Sequence, residues 1–117
     1  NWRVIRYADV LLMLAEALNE NNKSDEALDY LNMVRVRAGL LGYSGLTKSD
    51  AREKIYLERR FELYLEGSRW FDLLRTGRAF ETMAAFGMKS YQTVFPIPQS
   101  QIEVVNNPDI FAQNEGY

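Results

Sequence analysis

An all-α fold is predicted for this chain of 117 residues, and three observations predict it. Apolar side chains recur at helical spacing through the first two thirds of the sequence. Polar capping residues and glycines stand where those patterns begin and end. Two prolines close together, Pro96 and Pro98, confine extended backbone to the C-terminal part. The architecture expected is a tight helical hairpin, further helices and an irregular, proline-containing tail.

The first helix is expected from Arg6 to Asn21, with Leu11, Leu12, Ala15 and Leu18 on one face. Asn19-Glu20-Asn21-Asn22-Lys23 ends it. Ser24 or Asp25 can cap a second helix, Glu26 to Arg37, that buries Ala27, Leu28, Leu31 and Val34. Gly39 stands in the C′ position of that helix. So short a turn makes the pair antiparallel. Ala15 and Ala27 let the two helices approach closely, and the alternation of small and large residues reproduces a tetratricopeptide unit. No second copy follows 34 residues on, where Ala15 would map to Ser49 and Leu11 to Gly45. A lone unit cannot bury both its faces. With a start, Asn1-Trp2-Arg3-Val4-Ile5-Arg6, that reads as the interior of something, this makes residues 1–117 one helical region, expected to be a fragment of a longer chain.

Gly39 to Leu46 is a glycine-rich loop that carries an exposed-looking Tyr43. Thr47 with Asp50 three residues on is an acidic variant of the capping box. It opens a third helix, Lys48 to Glu66, which stops at Gly67. Ser68 can cap a fourth, shorter helix that presents Trp70, Phe71, Leu73 and Leu74 and ends near Gly77. A weaker helical stretch covers Arg78 to Phe86, and Gln99 to Val104 can form one turn. Phe95, Ile97, Ile110 and Phe111 are spaced to pin the tail onto the helices.

Composition removes whole classes of chemistry. A net charge of −2 gives no electrostatic case for nucleic acid or an anionic membrane surface. Cysteine and histidine are both absent. Thiolate and imidazole metal sites are thereby excluded, with Ser-His-Asp and Cys-His catalysis. Gly39-Leu-Leu-Gly42 lacks the Lys-Ser/Thr of a phosphate-binding loop. No cofactor and no metal are expected.

The densest stretch is Glu58 to Arg75, ERRFELYLEGSRWFDLLR. Wound at about 100° per residue, Leu57, Phe61, Tyr64 and Leu65 share one arc, with Tyr56 and Leu63 roughly opposite. Between them runs a stripe of Glu58, Glu62 and Glu66, with Arg59 beside it. A helix apolar on two sides is expected to be clamped between neighbours, with arginines meeting its acidic stripe. Glu58, Glu62 and Asp72 could be imagined as a carboxylate pair for glycoside hydrolysis. The spacing favours a structural ion-pair network of Glu58, Arg59, Glu62, Glu66, Arg69, Asp72 and Arg75, because Arg59 and Glu62, Glu66 and Arg69, and Asp72 and Arg75 are each three apart. No catalytic residue is assigned, and no enzyme is expected. Among the aromatics, Trp70 sits in an apolar set and reads as core. Tyr43 is the residue singled out for ligand stacking, while Trp2 and Tyr91 stay open between stacking and packing.

Taken together, these segments resemble the C-terminal part of the SusD/RagB family. The resemblance rests on Arg6–Glu20 (RYADVLLMLAEALNE), Ala27–Leu40 (ALDYLNMVRVRAGL), Glu58–Arg75, Val94–Ile102 (VFPIPQSQI), Asn107-Pro108 and the closing Asn114–Tyr117. It covers essentially the whole chain in order. Ser68 stands where the family often has His, and Glu115 where Pro is common. The resemblance implies a surface-exposed lipoprotein of the outer membrane of Bacteroidetes-type bacteria, built on tetratricopeptide-like helices. Such a protein binds glycans or other nutrients without cleaving them and works with a SusC-type TonB-dependent transporter. Its lipid anchor would lie outside this chain, and so would most ligand-contacting aromatics. The helices from Arg6 to Arg37 would be the surface for the transporter. A generic tetratricopeptide-like adaptor for protein segments is the alternative reading.

Overall fold

The computed structural model describes residues 4–117, so Trp2 lies outside the described part. Among these residues six helices follow one another: α1 Tyr7–Glu20, α2 Ser24–Arg37, α3 Lys48–Glu62, α4 Arg69–Arg75, α5 Ala79–Met83 and α6 Gln99–Val105. Two 3-10 turns, Ala84–Phe86 and Ser90–Thr93, lie between α5 and α6, and no strand occurs among the described residues. The chain forms two compact units, 1–69 and 70–117.

In the first unit α1 and α2 make the antiparallel hairpin, and α3 packs against both. Ala15 and Ala27 are fully buried where the hairpin closes, with Leu12, Leu31 and Val34 around them and Ile55 supplied by α3. Each fully buried Leu or Ile contributes about 1.5–3 kcal/mol, and the paired alanines are what let those larger side chains interlock. Asn22 adopts the left-handed conformation after α1, and Lys23 N–H donates to the Leu18 carbonyl at 3.0 Å. Gly39 repeats this after α2, with Leu40 N–H donating to the Arg35 carbonyl at 2.9 Å. These are Schellman caps, which leave few carbonyls unpaired at either helix end.

The start of α2 departs from expectation. The helix begins at Ser24 with Lys23 in the cap position and no side-chain cap. The Ser24 hydroxyl is committed elsewhere, donating to Asn19 Oδ1 at 2.8 Å. Thr47 does cap α3, accepting from the Asp50 amide at 3.1 Å. The Asp50 carboxylate, however, accepts from the Thr47 hydroxyl at 2.7 Å. It does not close a capping box.

Segment 38–47 returns along α2: the Arg35 Nε donates to the Leu41 carbonyl at 2.9 Å, and Asn32 exchanges two hydrogen bonds with the Tyr43 backbone at 2.7 and 2.8 Å. The chain therefore enters α3 beside the start of α2, and the two helices run parallel. Held this way, Tyr43 is half-buried against the core and not an exposed loop residue.

α3 is shorter than its pattern implies and buries a different face. It ends at Glu62, not Glu66, because the Glu66 amide donates to the Leu63 carbonyl at 3.1 Å and Leu65 takes a left-handed conformation. The arc of Leu57, Phe61, Tyr64 and Leu65 is exposed in this unit, Leu65 at 86%. Its buried residues are Ala51, Ile55, Glu58 and Arg59. The charged stripe is the side that faces the core.

In the second unit α4 buries Leu73 alone, leaving Phe71 exposed, and α5 buries Ala79. Trp70 is half-buried, with its Nε1 enclosed and without an acceptor among the described residues. Phe95 and Ile110, expected to anchor the tail, are both exposed. Polar contacts to the backbone hold it instead. The Gln113 side chain accepts from Ile97 N–H at 2.7 Å and donates to the Ile97 carbonyl at 2.9 Å. Asn114 donates to the Phe95 carbonyl at 2.7 Å, and the Tyr117 hydroxyl to that of Val94 at 2.8 Å. Tyr117 also meets Tyr91 edge to face, with ring centroids 5.0 Å apart. Gly116 makes this possible: it has φ +95, and a Cβ there would stand 2.4 Å from the Tyr91 ring.

Two substitutions test this packing. Ala27→Leu overfills the α1–α2 crossing and should cost about 1–3 kcal/mol, read as a lower urea midpoint at unchanged m-value. Gly116→Ala both clashes and strains the backbone, so the Tyr91 and Tyr117 ring resonances should lose their mutual shifts in NMR spectra while those of α1 to α3 stay in place.

Candidate functional site

The charged face of α3 is answered by Arg6 and Asp9 at the start of α1 and by Arg35 and Arg37 at the end of α2. Arg6, just before α1, reaches three groups at once. Its Nε and Nη2 grip the two carboxylate oxygens of Glu66 at 2.9 and 2.8 Å. Its Nη1 donates to Glu62 Oε1 at 2.9 Å, and Nη2 donates also to the Glu62 backbone carbonyl at 2.7 Å. That carbonyl belongs to the last turn of α3, where no later amide of the helix is available to it. The Glu66 amide turns instead to the Leu63 carbonyl, and the guanidinium caps the Glu62 carbonyl at the helix end.

Glu62 is shared. Its second oxygen, Oε2, accepts from Arg37 Nη2 at 2.5 Å. One carboxylate, 10% exposed, thus ties the start of α1 and the end of α2 to the end of α3. One turn earlier, Arg35 donates to Glu58 at 2.7 Å, and both side chains are nearly enclosed. The Arg35 guanidinium also lies over the Tyr43 ring, 4.0 Å from its centroid, with Lys54 Nζ at 5.4 Å. On the α1 side, Arg59 donates to Asp9 at 2.7 Å. The placement suits the helix ends, because Asp9 lies in the first turn of α1, while Arg35 and Arg37 lie in the last turn of α2.

A second clasp closes the opposite end of the bundle. Arg52 holds Glu20 in a two-pronged pair at 2.6 and 2.7 Å. Lys48 Nζ donates to the Glu20 carbonyl at 2.7 Å and to Asn22 Oδ1 at 2.9 Å. Asn19, fully buried, donates to the Lys48 carbonyl at 3.0 Å while accepting from Ser24. The Arg52 guanidinium holds the Glu20 carboxyl below the usual carboxylate range, and the Arg6 guanidinium does the same to Glu66.

Of the other residues named from the sequence, Arg75 pairs with Asp72 at 2.9 Å within α4, and Arg69 opens that helix on the surface. Tyr91 is half of the tyrosine pair with Tyr117. Sequence reasoning missed Arg6, Asp9, Arg35 and Arg37 as partners of the stripe, and Asn19, Glu20, Lys48 and Arg52 entirely. A cavity of about 260 Å³ lies between the start of α1 and the end of α2, lined by Arg6, Tyr7, Ala8, Leu11, Met33, Val34 and Arg37. Among the described residues no group of three or more carboxylates converges to hold a metal ion, and no helix is long and apolar enough to cross a membrane.

Comparison with known proteins places this scaffold. The model of the SusD family matches residues 1–117. The chain belongs to the SusD family. Among relatives, SusD-like protein P2 of Formosa agariphila is 34% identical across all of this chain and 26% of its own length. SusD-like protein P38 of the same organism is 38% identical over 80% of the chain and 21% of its own length. The chain spans about a quarter of the length of these relatives. A SusD superfamily protein of Bacteroides vulgatus superposes over 98% of the chain and 27% of its own, with a TM-score of 0.82 and 36% identity. A laminarin-binding SusD-like protein gives a TM-score of 0.77 and 37% identity over 97% of the chain and 23% of its own.

Glu62→Leu leaves Arg6 and Arg37 without their shared acceptor and should destabilise the fold by on the order of 3 kcal/mol. Arg59→Leu strands Asp9 and should act in the same direction. Arg52→Ala, at a solvated pair, should cost far less in the same denaturation series. The carboxyls of Glu20 and Glu66 ionise at lower pH in the folded chain than in the unfolded one. Their stabilisation is therefore full above the ordinary carboxylate pKa, about 4.3, and is lost as pH falls through the folded values. Urea midpoints should drop as pH falls below the ordinary carboxylate range. Arg6→Ala should lower the midpoint at neutral pH and return the Glu66 carboxyl to the ordinary range in an NMR titration.

Proposed function

We propose that this chain is the helical framework of a non-catalytic glycan-binding protein on the bacterial outer membrane, one that serves a SusC-type TonB-dependent transporter. The observation that carries the reading is the match of the SusD family over the whole chain, joined by the likeness to a laminarin-binding member. The side chains agree with a framework role. Of the acids that could suggest hydrolysis, Glu62 has both oxygens taken by Arg6 and Arg37, while Glu58 accepts from Arg35 through Oε2 and Asp72 from Arg75 through Oδ1. A carboxylate so engaged is a poor proton donor or nucleophile, since either role needs an oxygen facing substrate.

In this reading the clasped three-helix unit presents the α1–α2 face, Arg6 to Arg37, to the transporter. Tyr43 serves packing, because its ring already carries Arg35. Ligand contacts come from the part of the relatives' length that this chain does not span. Capture then uses aromatic stacking and hydrogen bonding in a largely preformed site.

The test is thermal melting of the intact protein with laminarin oligosaccharides and a panel of other glycans. A rise in Tm with at least one glycan is expected, together with turnover at background in the parent protein and in Glu58→Gln and Glu62→Gln. No shift with any glycan overturns glycan binding and favours the adaptor. Turnover that falls in those variants overturns the non-catalytic assignment.

A further inference from the structure

No further inference is drawn: the strongest candidate, the exposed apolar stripe of Leu57, Phe61, Tyr64 and Leu65 along α3 and the turn after it, carries none because nothing in the structure shows what covers it.

Discussion

The three-helix unit depends on one constraint: α3 turns its charges inward. Glu58 and Arg59 are as enclosed as Leu11 of the hairpin, and Glu62 nearly so. A carboxylate taken from water is costly unless it is paired and its remaining lone pairs are satisfied. Here Arg35 answers Glu58, Asp9 answers Arg59, and Arg6 and Arg37 divide Glu62 between them. Charge pairs of this kind add little net stability over apolar replacements, but removing one partner strands a buried charge. In the observed register of α3, Glu62 lies between the guanidinium groups of Arg6 and Arg37.

Much of the fold is legible in the sequence because it is local. Helical periodicity gives α1 and α2, and the alanines at positions 15 and 27 mark their close crossing. Asn22 and Gly39 mark where each helix ends, since each supplies the left-handed residue of its cap. The end of α3 is not legible in this way. Its apolar pattern runs on to Leu65, but the Glu66 amide turns to the Leu63 carbonyl, and a guanidinium from 56 residues earlier caps the Glu62 carbonyl. The acidic stripe is visible in the sequence, but its partners Arg35 and Arg6 stand 23 and 56 residues away from Glu58 and Glu62. Spacing rules reach only one helical turn. Tyr43 illustrates the same limit: glycines on either side read as an exposed loop, whereas Asn32 pins that loop to α2 and draws the ring inward.

The second unit shows how polar residues replace a core. Its tail has apolar side chains enough to suggest hydrophobic anchoring, yet Phe95 and Ile110 face solvent. Gln113, Asn114 and Tyr117 satisfy backbone groups of the proline segment, whose extended conformation leaves those groups without helical or sheet partners. The closing Gly-Tyr of the chain has a physical reason there, the glycine admitting the Tyr91 ring and the tyrosine completing the pair.

The Arg6 bridge also bears on the order of assembly. The α1–α2 hairpin closes across three residues, whereas Arg6 and Glu66 are 60 apart in sequence. Joining distant points costs chain entropy that only contacts already formed can offset. The hairpin is thus the piece able to form early from its own neighbours. The contacts of Arg6 with Glu62 and Glu66 join the two ends of this unit, and they need α3 in place beside the hairpin.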